Sequence, residues 1–211
     1  MKKRTSVISA FVSLMPMVQP LLLGTGAALT TASVMIAVPE QALAETASFY
    51  FDRAYKKSEE GDYYGAISDY SKAIEIDPSD SLAYYNRGWS KRSLKDHYGA
   101  ISDYNKAIEI NPSDEDAYYN RGWAKNELKD YDGAISDYSK AIEINPKYES
   151  AYYNRGWAKS ELEDYYGAIS DYSKAIEINP SKVNAILNRG LAKSELEDYY
   201  GAISDYNKAI E

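Results

Sequence analysis

Ala-Tyr-Tyr-Asn-Arg-Gly-Trp at residues 83–89 returns at 117–123 and 151–157, and decays to Ala-Ile-Leu-Asn-Arg-Gly-Leu at 185–191. The interval is 34 residues each time. A segment that recurs at this spacing is one supersecondary unit that buries its apolar face against its neighbours. The other half of the unit echoes too: Gly-Ala-Ile-Ser-Asp-Tyr, then Ser or Asn, then Lys-Ala-Ile-Glu, at 65–75, 99–109, 133–143, 167–177 and 201–211. At about 34 residues each unit falls below the roughly 40 residues that a chain needs to fold alone, so the units depend on one another. Function is therefore expected on a surface made by repetition rather than in one pocket.

Within the unit at 115–148, Ala117, Ala124 and Leu128 keep helical spacing up to a polar break at Lys129-Asp130. A second periodic set, Ala134, Ile135, Tyr138, Ala141, Ile142 and Ile144, predicts a second helix. Asn145-Pro146 ends it, because proline pushes the residue before it out of the helical region. Asp77-Pro78, Asn111-Pro112 and Asn179-Pro180 are the same stop. Gly122 and Ala134 are small where the two helices of a hairpin must approach closely, and a larger side chain there would cost roughly 1–3 kcal/mol.

Gly122, Tyr131, Ala134, Tyr138, Ala141 and Pro146 stand at the positions that define the tetratricopeptide repeat, and the chain resembles that family over nearly all of 47–211. The resemblance implies an all-α fold, a right-handed superhelical solenoid of stacked helix-turn-helix repeats. Its units would be 47–80, 81–114, 115–148, 149–182 and 183–211, the last incomplete. The first diverges most, with Ala54 where later units have glycine. The Asn-Arg-Gly and Ala-Ile-Ser-Asp-Tyr runs are similar to those of repeat proteins common in cyanobacteria.

The formal charge of −8 is unevenly spread. Residues 1–44 carry Lys2, Lys3 and Arg4 against Glu40, which leaves 21 basic and 31 acidic side chains, or −10, on 45–211. A net negative surface repels phosphate backbones, which argues against a nucleic-acid partner and favours basic or neutral ones. Cysteine is absent, so thiol catalysis, disulfides and Cys-based zinc sites are excluded. With His97 as the only histidine, a Ser-His-Asp triad or a usual metal triad has little to build on. No cofactor and no enzymatic activity are expected.

The first 44 residues read as a separate segment. Lys2-Lys3-Arg4 precedes an uncharged stretch from Thr5 to Pro39, with Ala42-Leu43-Ala44 ahead of Glu45. That is the order of a secretory signal peptide, which places cleavage after Ala44. The rival is an uncleaved membrane anchor, since Leu21–Val38 approaches the roughly 20 residues that span a bilayer. Either reading puts the repeats, residues 45–211, across a membrane: in a periplasm, a thylakoid lumen or the extracellular space, or anchored to the membrane.

Two rows of basic residues need an explanation. Arg53, Arg87, Arg121, Arg155 and Arg189 stand where the family often has leucine, and Lys57, Lys91, Lys125, Lys159 and Lys193 where it often has an aromatic residue. They could form a stripe for an anionic ligand. The preferred reading is structural, because each unit also carries an aspartate in its second helix, Asp69, Asp103, Asp137, Asp171 and Asp205, as a partner for its arginine. His97 occupies the place of Tyr63, Tyr131, Tyr165 and Tyr199, so it is read as a packing residue. Glu163-Asp164 and Glu197-Asp198 fall on solvated turns, where nothing raises a carboxylate pKa for acid–base work.

On the first helix of a unit, Asp116, Tyr119, Asn120, Trp123, Asn126 and Glu127 follow one another by short steps that keep them on one stripe. The family resemblance implies that this stripe lines the concave groove. Stacking then aligns Tyr85, Tyr119 and Tyr153 beside Trp89, Trp123 and Trp157, with Asn86, Asn120, Asn154 and Asn188 alongside. Asparagine offers donors and an acceptor, which suits an extended peptide backbone. The expected function is a non-enzymatic protein-interaction scaffold that holds an extended segment of a partner protein in this groove. Glycan binding by the exposed rings and self-assembly as a structural protein of the cell envelope are the alternatives. Because the sequence stops at Glu211, before the Ile-Asn-Pro of other units, Ile203, Tyr206 and Ile210 are expected to be partly exposed and the last repeat to be the site of any self-association.

Overall fold

The protein is described from a computed structural model, which covers residues 1–3 and 46–210. Apart from Met1, Lys2 and Lys3, the segment read as a signal peptide or anchor lies outside the described residues. Among the described residues there are ten helices and no strand: α1 (Ala47–Glu59), α2 (Tyr63–Ile76), α3 (Ser81–Ser93), α4 (His97–Ile110), α5 (Glu115–Glu127), α6 (Tyr131–Ile144), α7 (Glu149–Glu161), α8 (Tyr165–Ile178), α9 (Val183–Glu195) and α10 (Tyr199–Ile210). No helix among them is long and apolar enough to cross a membrane.

The turns of the hairpins have local chemical causes. Asp62, Asp96, Asp130, Asp164 and Asp198 cap the second helices by accepting a hydrogen bond from the backbone N–H three residues on, at 2.9–3.0 Å. That residue is always glycine, and a Cβ on Gly133 would lie 2.2 Å from the Asp130 carboxylate. The turn before each cap requires a left-handed residue. Gly61 supplies it in the first hairpin, whereas Lys95, Lys129, Glu163 and Glu197 adopt φ of 61–63° in the others. The Asp130 N–H then bonds back to the Lys125 carbonyl at 2.9 Å, and Lys129 N–H to Asn126 at 2.9 Å, closing the end of α5. At the far end of the hairpin, Asn145 leaves the helical region at φ −125°, as its position before proline demands, and its side chain accepts from Lys147 N–H at 3.1 Å.

The helices pair as hairpins, α1 with α2 through α9 with α10, and each second helix packs on the first helix of the next unit. First helices of successive units also touch one another, α1 on α3, α3 on α5, α5 on α7 and α7 on α9. That extra contact makes them the inner wall of a solenoid. The core between the layers is built of alanine and tyrosine: Ala66, Tyr70, Ala73, Ala100, Tyr104, Ala107, Ala134, Tyr138, Ala141, Ala168, Tyr172 and Ala175 are buried, whereas Tyr206 in the last unit is half-buried. The close approach at Gly122 is as the sequence implies, since a Cβ there would meet the Tyr138 ring at 3.0 Å.

The arginine row is structural. Arg121 grips Asp137 with two parallel bonds, Nε to Oδ2 at 2.9 Å and Nη2 to Oδ1 at 2.5 Å, and the same fork recurs in all five units. The lysine one turn further on completes the group: Lys125 Nζ lies 2.8 Å from Asp137 Oδ2. The third guanidinium nitrogen reaches back to the preceding unit, bonding Ser71 from Arg87, Asn105 from Arg121, Ser139 from Arg155 and Ser173 from Arg189. One arginine thus ties two helices of its own hairpin to the hairpin before it. Burial alone would raise the Asp69 and Asp205 carboxyls, but hydrogen bonds from Arg53 and Lys57, and from Arg189 and Lys193, outweigh it and hold both below their ordinary value.

Candidate functional site

The inner wall carries the residues that the sequence places in a groove, but not all of them face it freely. Trp89, Trp123 and Trp157 are half-buried. Each lays one side against the residue that opens the preceding second helix, with ring centroids 5.8 Å apart for Tyr63 and Trp89, His97 and Trp123, and Tyr131 and Trp157. His97 therefore packs as the tyrosines do. Leu191, which takes the tryptophan position in the last unit, is exposed.

The asparagine row is mostly engaged in holding the wall together. Asn120 Nδ2 donates to the Tyr85 hydroxyl at 2.9 Å, Asn154 to Tyr119 at 2.8 Å and Asn188 to Tyr153 at 3.1 Å. Each bond joins a first helix to the first helix of the unit before it. Burial pushes the Tyr85 and Tyr119 hydroxyls above their ordinary pKa, so they stay neutral and keep their protons for hydrogen bonding.

Asn86 is the exception. The residue 35 positions before it is Phe51, which stacks edge-on against Tyr70 as Tyr85 leans on Tyr104 but has no hydroxyl to offer. Asn86 is wholly buried, and its amide is taken by the backbone of Lys2: Lys2 N–H donates to Asn86 Oδ1 at 2.7 Å, and Asn86 Nδ2 donates to the Lys2 carbonyl at 2.6 Å. Met1 and Lys2 lie against the inner wall. The Tyr70 hydroxyl reaches the Met1 sulfur at 3.7 Å, and burial followed by the nearby Arg92 lowers the Met1 amino group below its ordinary pKa.

The Lys2 ammonium bonds Asp114, lies 3.2 Å from Asp116 Oδ2 and stands 4.8 Å above the Tyr85 ring centre. Asp114 also caps α5 through Ala117 N–H at 3.0 Å, and Asp116 accepts from the Tyr148 hydroxyl at 2.7 Å. Tyr148 in turn lies on Tyr119 with centroids 5.0 Å apart. Arg92 spans the neighbouring stretch, 4.7 Å from the Trp123 ring centre, with Nη1 on Asn120 Oδ1 at 2.5 Å. Further along, Trp157, Tyr165, Tyr172 and Asn188 line a hollow of about 240 Å³. Of the remaining candidates, Asn126 is half-buried and Glu127 exposed.

Models of the tetratricopeptide repeat match residues 81–114, 115–148, 150–182 and 183–211, and a TPR repeat model matches 54–89. The chain belongs to the tetratricopeptide repeat family. Among solved structures, this TPR chain is similar to a crystal structure of MamA protein, at 29% identity and a TM-score of 0.76 over 79% of this chain and 91% of that one. A MamA from Desulfovibrio magneticus RS-1 (residues 41-end) shares the fold at 20% identity and a TM-score of 0.74, over 78% and 93% of the two chains. YrrB, described as a TPR protein with an unusual peptide-binding site, shares it at 24% identity and a TM-score of 0.72, over 81% and 88%. Among curated proteins none matches the chain.

Three features of this TPR wall escape a reading of the repeat pattern alone. Asp114 reads simply as a helix cap, Arg92 stands where later units have Asn126, Ser160 and Ser194, and Phe51 is one ring among many. Arg92 and Phe51 depart from the repeat, whereas Asp114 shares its residue type with Asp80 and differs from Tyr148 and Lys182. Among the described residues no group of three or more His, Asp or Glu is placed to hold a metal ion.

Proposed function

We propose that this TPR protein is a non-enzymatic interaction scaffold whose inner wall holds an extended segment of a partner protein. The observation that carries the proposal is the contact at Asn86, where one buried side-chain amide satisfies both the N–H and the C=O of the same residue, Lys2. That pairing reads backbone rather than side chain, which is how a groove accepts a peptide irrespective of most of its sequence. The ring of Tyr85, 4.8 Å from the Lys2 ammonium, adds apolar area beside it. Family membership is consistent with the role, and a peptide-binding site is described for YrrB, which has the same fold. Export across a membrane belongs to the same proposal, on the strength of the basic start and the uncharged stretch that follows it.

The test is binding of labelled peptides to the full chain, read by fluorescence anisotropy, with Asn86→Ala as the variant. Loss of two hydrogen bonds at about 1 kcal/mol each should weaken binding roughly tenfold or more. Helix content should persist, because the Asn86 side chain serves no other described residue. Equal affinity of wild type and variant contradicts the proposal.

A further inference from the structure

We infer that the N-terminal half of the groove contains a subsite for a lysine side chain of the bound segment, built from Asp114, Asp116 and the face of Tyr85. The inference rests on the reading of the groove as a peptide site and adds the class of residue that it selects. Three observations meet there. Asn86 is left open by Phe51 and fixes the backbone of whichever residue sits beside it. Beside that anchor, Asp114 and Asp116 converge on one point, and the Lys2 ammonium occupies it over the Tyr85 ring. Asp114 is nearly buried, so its carboxylate is poorly screened by water and its charge acts at close range.

The rest of the chain shows the same preference from the other side. Position 114 corresponds, two units on, to Lys182, and Lys182 Nζ stands 5.4 Å above the ring of Tyr153, the counterpart of Tyr85, with Glu149 3.3 Å away. In the C-terminal half the groove thus fills its tyrosine face with its own lysine. In the N-terminal half the corresponding place carries an aspartate, and the cation must come from the ligand. A net charge of −10 on residues 45–211 favours the approach of such a basic segment. The occupant is therefore an extended, lysine-bearing segment of a partner protein, for which Met1-Lys2-Lys3 stands in here.

The experiment uses the full chain carrying Lys2→Ser and Lys3→Ser, so that its own lysines do not compete. Capped peptides of the form Gly-Met-Xaa-Lys-Gly, with lysine, norleucine or glutamate at Xaa, are titrated by calorimetry. The lysine peptide should bind at least tenfold tighter than the norleucine peptide, and the glutamate peptide more weakly still. In the same host with Asp114→Asn and Asp116→Asn, which keeps the helix cap and the Tyr148 contact, that preference should fall below threefold. The wild-type chain should bind the lysine peptide more weakly than the host does, because Lys2 fills the site. Equal binding of lysine and norleucine peptides, or a preference that survives the two asparagines, overturns the subsite and leaves the groove standing. Failure of every peptide to bind overturns both.

Discussion

Asp137 is held from two sides, by the fork of Arg121 and by Lys125, and this shapes what single substitutions do. Arg121→Ala leaves Lys125 on the carboxylate, so it should cost about 1–3 kcal/mol, with Arg121→Leu milder because leucine refills the space. Arg121→Ala with Lys125→Ala orphans a buried charge and should cost more than the two single losses added together, a coupling that urea denaturation of the four proteins in the cycle would read directly. Simple additivity would show that the cations act independently. Acid provides a second check. The folded-state carboxyls of Asp69 and Asp205 are depressed below 3.8, so their stabilisation is complete above that value and is lost as pH falls through the lower folded-state value. Melting temperature should be flat from pH 7 to about 5 as far as these groups are concerned, then drop below about 4. The pairing of arginine with aspartate was legible from the sequence because both recur at a fixed offset. The role of lysine was not, since its spacing from arginine on one helix gives no sign that both reach for the same carboxylate.

Among the helices and turns, the residues after α3, α5, α7 and α9 bear a cost that the first hairpin avoids. Gly61 takes the left-handed turn freely, while Lys129 takes it at φ 61° with a full side chain. Lys129→Gly should therefore stabilise the protein by up to about 1 kcal/mol, seen as a rise in melting temperature, and no change or a fall would mean that the lysine side chain makes up the difference. The terminal hairpin is the other weak element. Ile203 and Ile210 on α10 are 55% and 85% exposed, whereas Ile176, the counterpart of Ile210 on α8, is 7% exposed under α9. No described helix covers that face of α10. Amide exchange should be fastest in α10 and slowest in α4 to α7, and uniform protection along the array would contradict this. Element ends were readable because Asn-Pro stops and Asp caps are local signals, complete within a few residues. The state of the asparagine row was not: whether an asparagine is free depends on a hydroxyl 35 residues earlier, and Phe51 differs from Tyr85 there by one oxygen atom.

At the scale of the whole molecule, five near-identical hairpins make a wall whose repeated contacts hold it together and whose irregularities make it a site. Asn120, Asn154 and Asn188 stitch units to one another through tyrosine hydroxyls, whereas among the described residues Asn86 turns its amide to the backbone of Lys2. Repetition in the sequence revealed the solenoid; the site had to be found where repetition fails, at Phe51 and Arg92. The most direct measurement follows from that single missing hydroxyl. Phe51→Tyr should place an oxygen against Asn86 as Tyr85 does against Asn120, completing the stitch and removing the backbone anchor in one step. Peptide binding by the Lys2→Ser, Lys3→Ser chain, measured by calorimetry with and without Phe51→Tyr, should weaken at least tenfold while the melting temperature holds or rises. Unchanged peptide affinity in a folded Phe51→Tyr protein would contradict the assignment of the Asn86 groove as the binding site.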